Sequence, residues 1–372
     1  MAQSEFPSGN GQSGGLERWF TDRLRWFRAL DKRFQIAAAA GLAILLAGVA
    51  VLSLSLSGGN GGKQTDETVN PPPISREPSA APVQPPTPGG LPASPNPLTG
   101  DVRPGGKVLA VKIDNVGAAT QARQAGLNSA DIVYAIRVEG GLSRLMAIYD
   151  SSHVPTSVGP VRSARETDLP ILAAYGKVDF AYSGASNGFL PDLAKANVFN
   201  VTPSTYGGFS NGGSSPTFIS PAAVFAQFPD AAVAPDIGLR FADAPNTPPG
   251  GTSADSFVVR MPAASFGFSW DGSKYLVSTD GHAAVTDSGQ RDTTTNVIVQ
   301  HVNIVPGRFT DGLDNNAVLS RTTGSGNADV YRNGLVYHCT WSKPTDSSPT
   351  TYSINGSPMT LQSGRTWIVL AS

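Results

Sequence analysis

Cysteine is almost missing from this chain: Cys339 is the only one among 372 residues. That excludes an internal disulfide framework and a thiolate metal cluster, so the folded part must be stable through its own packing. Charge is also sparse. Asp, Glu, Lys and Arg make up 15% of the residues and the net charge at pH 7 is −1, so the basic footprint of a nucleic-acid-binding protein is lacking. No internal repeat marks the chain as a solenoid or an array.

One long stretch carries no charge at all. From Ile36 to Leu56 the residues are apolar or small, and roughly 20 such residues at about 1.5 Å rise each match a bilayer core. Residues 36–56 are therefore expected to cross a membrane as a helix. Arg18, Arg23, Arg25, Arg28, Lys32 and Arg33 precede this run, whereas Lys63 is the first basic residue after it. That asymmetry predicts a cytoplasmic N-terminal segment, 1–35, and an extracytoplasmic remainder. A cleaved signal peptide fits less well, because the apolar run is long and more than 30 residues lead into it. Leu16, Phe20, Leu24, Phe27, Leu30 and Phe34 recur at helical spacing among the basic residues, the pattern of an amphipathic juxtamembrane anchor.

Residues 57–97 are rich in Pro, Gly, Ser and Thr and hold almost nothing large and apolar to bury, which predicts an extended stalk. At about 3 Å per residue it would reach up to roughly 100 Å, a distance suited to a cell wall. Folding is expected from residue 98. Val108–Asp114, Asp131–Glu139 and Leu142–Asp150 are strand-like, and Gly140-Gly141 is expected to close a two-residue hairpin between the last two. Ser163 and Glu166 have the spacing of a helix capping box, with Pro170 set to kink the helix and Gly176 to end it before a strand at Val178–Ser183. Beyond Pro249-Gly250 the short alternating segments and the Asn333-Gly334 and Asn355-Gly356 turns read as almost entirely β. The expected fold class is α+β, with a mixed domain over 98–248 and a β-rich domain over 250–372.

The chain resembles the YerB-like bacterial lipoproteins, a family without an assigned activity that has an N-terminal and a C-terminal part. The resemblance rests on Pro97-Leu98-Thr99-Gly100, Ile113-Asp114-Asn115, Ala130-Asp131-Ile132-Val133-Tyr134, the run Val138 to Arg144, the run Gly159 to Arg165, the run Asn296 to Gln300, and Thr366-Trp367-Ile368. It implies a surface-attached extracytoplasmic protein and supplies no reaction, cofactor or catalytic residue. Lipoprotein members carry a lipid-modified cysteine after the signal. No cysteine lies near the apolar run here, so the membrane helix is expected to replace the lipid.

Candidate chemistry centres on arginine. A two-residue Gly140-Gly141 loop would set Arg137 directly opposite Arg144 on one sheet face, with Glu139 or a bound anion offsetting the repulsion. Arg162 and Arg165 flank Ser163 where a helix is expected to begin, an anion-favouring position. Guanidinium groups bind carboxylate and phosphate bidentately. Arg137, Glu139, Arg144, Arg162, Ser163, Arg165 and Asp114 thus form the candidate ligand-binding set. The expected partner is an anionic cell-wall polymer or an envelope protein, bound without catalysis, and no nucleic acid, cofactor or metal is implied. Solvated arginines sharing one glutamate are the simpler alternative.

An enzymatic alternative is also written in the sequence. Gly184-Ala185-Ser186-Asn187-Gly188 matches the G-x-S-x-G nucleophile motif, for which His282 or His301 would be the base, with Asp280, Asp287 or Asp292 orienting it. A phosphotransferase with Asp114 and Glu139 as metal ligands is similar in outline to wall-polymer transferases of the LytR-CpsA-Psr type. Asp280 and His282 could bind a metal, but a lone His beside Asp-Gly reads rather as a turn residue, and Ala284 two places on offers no further ligand. His338 and Cys339 are adjacent on an expected strand and so point to opposite faces. Trp341, Lys343, Arg365 and Trp367 read either as a sugar-stacking patch or as core.

Overall fold

The computed structural model describes residues 95–211, 217–243, 246–310 and 316–372. The expected cytoplasmic segment, membrane span and nearly all of the stalk lie outside the described residues. Among those described, no helix is long and apolar enough to cross a membrane. The stalk's last residues already belong to the fold, since Asn96 is fully buried and donates its amide to Asp150.

The architecture grows from three strands that are apolar at nearly every position. β1 (Val108–Asp114), β2 (Ile132–Arg137) and β3 (Ser143–Asp150) pair antiparallel in the order β2–β3–β1. On one face lie Val108, Ala110, Ile132, Ile136, Met146 and Ile148, packed against Ile171 and Leu172 of the helix Asp168–Leu172 and Leu193 of the helix Leu190–Lys195. On the other lie Leu109, Val111, Val133, Ala135, Leu145 and Ala147. A second sheet covers this face with Phe266, Phe268, Tyr275 and Val277, beside Val224 and Phe225 of the helix Pro221–Gln227. Burying both faces explains why these strands carry apolar residues at nearly every position.

The sheet continues on both sides. β4 (Val158–Val161) and β5 (Val178–Ala181) flank β1, and β6 (Val198–Val201) joins β5 in parallel. On the other edge the C-terminal strand Thr366–Ala371 runs parallel to β2 and, on its far side, parallel to Asn296–His301. The first and second halves of the folded chain therefore share one mixed sheet, of fifteen strands among the described residues. The fold is mixed and strand-rich, and strands dominate after residue 250 as the short alternating segments predict. Trp341 and Trp367 belong to the core, Trp367 beside Phe266 and Phe268 at ring-centroid distances of 5.8 and 5.9 Å. Lys343 is buried on the Ser348 carbonyl, and Arg365 ties Asp292 to the Ala130 and Leu127 carbonyls. None of the four forms a surface patch.

Two local expectations fail for stated reasons. The hairpin loop is one residue longer than Gly140-Gly141. Val138 N–H bonds the Leu142 carbonyl, leaving Glu139, Gly140 and Gly141 as the turn, with both glycines at positive φ. A three-residue loop with a left-handed glycine is itself a favoured hairpin closure. It shifts the register so that Arg137 faces Ser143 and Arg144 faces Ile136. The capping box does not form either: the helix starts at Asp168, five residues after Ser163. The Asp168 carboxylate takes the Arg165 N–H at 2.7 Å, and Glu166 is drawn away to Arg308.

Charge is buried in the apolar face at Lys112, whose Nζ meets Asp168 Oδ1 at 2.8 Å with both side chains fully inaccessible. Burial lowers the Lys112 pKa from its ordinary value, and Asp168 opposes that shift. Removing one member strands the other, so Asp168→Ala should cost about 3–5 kcal/mol, whereas a paired Lys112→Met, Asp168→Leu chain should recover most of the loss. Denaturant titration of the three variants checks this. Asp179 is buried with neither oxygen hydrogen-bonded among the described residues, and desolvation pushes it up to about 7. Its native pKa exceeds the unfolded one, so its contribution is full below the ordinary carboxylate range and is lost as pH rises through about 7. Asp179→Asn should flatten the fall of stability between pH 4 and 7 by up to about 1.4 kcal/mol per pH unit.

Candidate functional site: an arginine cleft at the end of the central strands

The site follows from strand alternation. Val108, Ala110, Lys112 and Asp114 share one face of β1, which passes from apolar to charged towards its end. Arg144, the second residue of antiparallel β3, lies opposite Asp114, and its Nη1 donates to Asp114 Oδ1 at 2.8 Å. After β4 the chain runs irregularly through Arg162 to Thr167. The Arg162 N–H bonds the Lys112 carbonyl and the Arg162 Nε comes within 3.3 Å of Asp114 Oδ2. One aspartate thus bridges two guanidinium groups. Arg165 Nε meets both oxygens of Glu139 at 2.7 and 2.9 Å and its Nη1 donates to the Ala164 carbonyl.

Asp114, Glu139, Arg144, Arg162, Ser163 and Arg165 line one cleft of about 580 Å³, within the size range of small-molecule sites. Six of the seven candidate residues therefore converge. The seventh does not: the register places Arg137 on the opposite sheet face, beside Val133 and Ala135, so the expected Arg137–Arg144 confrontation is absent. Glu139 is bound to Arg165 rather than offsetting that pair. Because no helix starts at Ser163, the cleft draws its positive field from guanidinium groups and not from a helix terminus. Arg144 is 10% exposed and Arg162 46%, so one anchors and the other presents its head to solvent. Burial lowers the Arg144 pKa, Asp114 opposes that, and Arg165 and Arg162 reinforce it. Its Nε is buried without a hydrogen-bond partner among the described residues.

The second half of the chain completes the surroundings, through a hairpin of Asn303–Thr310 and Asn316–Arg321. Arg308 uses its backbone N–H and Nε on the two oxygens of Glu166, and Nη2 on Asp192. Phe309 packs on Phe189 with ring centroids 6.0 Å apart. Gly188 makes room for it, since a Cβ there would lie 2.6 Å from Phe309 Cδ1. Nothing in the spacing of the sequence points to Arg308 or Phe309.

Profiles of a two-part family match both halves: a protein of unknown function (DUF3048) N-terminal domain over residues 98–232, and its C-terminal domain over 257–368. The chain belongs to the DUF3048 family. Over 65 residues it is 42% identical to YerB of Bacillus subtilis (strain 168), a candidate lipoprotein; that stretch is 18% of this chain and spans only 19% of the relative. The crystal structure of YerB from Bacillus subtilis aligns with a TM-score of 0.60 and 21% identity, covering 74% of this chain and 96% of that one, which shows a shared fold. In this DUF3048 chain the arginines and their carboxylates come from the N-terminal domain, while Arg308 and Phe309 come from the C-terminal domain.

The nucleophile reading finds no support in the geometry. Ser186 lines a small cavity that no histidine lines, and its φ is not positive, unlike a strained nucleophile turn. His282 is exposed on a two-residue strand paired with Thr279, His301 bonds Asp329, and Asp280 holds a left-handed turn while accepting from Ser265 and Gln121. Asp287 N–H bonds the Gln124 carbonyl and Asp292 holds Arg365. Asp114 and Glu139 are both committed to arginine, and no group of three metal-ligating side chains exists among the described residues. His338 and Cys339 do face opposite ways, one exposed and the other buried.

Asp114→Asn should leave Arg144 partly buried and unneutralised, lowering stability by about 1–3 kcal/mol. Added inorganic phosphate should restore part of that loss by occupying the cleft, a recovery read from thermal melts with and without the salt.

Proposed function

We propose that this chain is a membrane-anchored extracytoplasmic protein of the bacterial envelope whose folded part binds an anionic ligand without chemical conversion. One observation carries the reading: three guanidinium groups, Arg144 from β3 and Arg162 and Arg165 from the segment after β4, line one cleft while only two carboxylates neutralise them. Arginine forks pair with carboxylate and phosphate oxygens in two parallel hydrogen bonds, so the fitting ligands are anionic wall polymers, stem-peptide carboxylates or lipid-linked phosphates. The apolar run at 36–56, its basic N-terminal flank and the candidate-lipoprotein description of the Bacillus subtilis relative support the envelope location.

The full-length chain in detergent should retain phosphate- or carboxylate-bearing wall material. Arg162→Ala, at an exposed position, should weaken retention by about 10-fold or more without unfolding the protein, and Arg144→Ala with Arg162→Ala should abolish it. Retention should also fall with added salt, because Arg162 is nearly half exposed. Unchanged retention by the double variant overturns the reading. For the topology, alkaline phosphatase fused after Ser372 should be active in cells and the same enzyme fused before Met1 inactive.

A further inference from the structure

A smaller cavity adjoins the arginine cleft. Glu139, Ser163 and Arg165 line the cleft and also a second cavity of about 110 Å³, whose far wall includes Ala185, Ser186 and the ring of Phe309. A dry cavity of about 150 Å³ holds benzene, so this space takes on the order of three to five heavy atoms. Its hydroxyls, at Ser163, Ser186 and Thr310, offer hydrogen bonds but no charge. Its remaining carboxylate, Glu166, is occupied by Arg308 through both the backbone N–H and Nε.

The charges of the outer cleft restrict the ligand further. Arg144 and Arg162 share Asp114, and Arg165 holds Glu139, so three positive groups meet two negative ones and one positive charge is left over. A monoanion balances that charge. A dianion would leave an uncompensated negative charge against partly buried carboxylates, which is unfavourable at low local dielectric.

Resting on the anion-binding reading of the cleft, we infer that the ligand is a monoanionic chain end bearing one small uncharged substituent. The anion lies against Arg144, Arg162 and Arg165, and the substituent enters the inner cavity between Ser186 and Phe309. An acylated amino-acid terminus with an alanine-sized side chain has this chemistry. A phosphodiester carrying a short polyol shares it.

Calorimetric titration of the full-length chain in detergent separates these sources. N-acetylalanine should bind about 10-fold more tightly than acetate, the discrimination that one or two carbon-sized groups in a fitted pocket provide. N-acetylalanine amide, lacking the charge, should not bind. Ala185→Leu, which narrows the inner cavity, should remove the 10-fold advantage; the wild-type comparison decides alone if that variant fails to fold. An advantage of glycerophosphoglycerol over dimethyl phosphate, with none for N-acetylalanine over acetate, also supports the inference and assigns the polyol source. Equal affinities within both pairs, or tighter binding of phosphate dianion than of every monoanion, overturn the inference and leave the anion reading standing. Failure of every anion to bind overturns both.

Discussion

The pairing of Lys112 with Asp168 is the constraint on which the rest of the site depends. An ammonium group in the middle of a sheet face is tolerated only with its charge matched, and a single carboxylate matches it at 2.8 Å. The same aspartate uses its second oxygen on the Arg165 N–H, and the Lys112 backbone carbonyl takes the Arg162 N–H. The loop from Arg162 to Arg165 is thereby fixed by the interior from beneath, at the cost of starting the helix four residues late. Guanidinium groups held in this way have less freedom to lose when they meet a ligand, which is the general advantage of a preorganised site.

This dependence explains where sequence reasoning succeeded and where it failed. The strands β1, β2 and β3 were legible because burial on both faces leaves a near-continuous apolar run, and the charged end of β1 stood out against it. Convergence of Arg144, Arg162 and Arg165 followed from their being close to strand ends. Arg137 was misplaced because hairpin register hangs on loop length, and a one-residue difference carries a side chain through the sheet. Ser163 and Glu166 offered a sound local capping signal that lost to tertiary contacts: Glu166 gains two hydrogen bonds from a hairpin far along the chain. Nor does any local pattern announce that Thr366–Ala371 inserts between β2 and Asn296–His301, because parallel pairing joins distant segments without a turn between them.

The two family domains are best understood through that insertion and through the docked hairpin. Arg308 and Phe309 reach from the C-terminal part to Glu166, Asp192 and Phe189 of the N-terminal part, and Thr310 and Ala317 finish the wall of the inner cavity. The arginine cleft lies wholly in the N-terminal half, whereas the smaller cavity beside it takes wall residues from both halves. The shared sheet makes the dependence mutual, because β2 without its parallel neighbour would expose an apolar edge.

The small-residue run at Gly184–Gly188 shows how one set of residues can satisfy a catalytic pattern for structural reasons. Gly188 is small because Phe309 occupies the space a side chain would need, and Ser186, two residues earlier, lines the cavity. A hydroxyl there, with no histidine in the lining to take its proton, is suited to donating a hydrogen bond rather than to attack. The serine therefore stands with Ser163 and Thr310 as a polar group in the cavity wall. Selectivity would then arise where the two cavities share Glu139, Ser163 and Arg165, since a ligand spanning both would have to satisfy the charge of one and the small volume of the other at once.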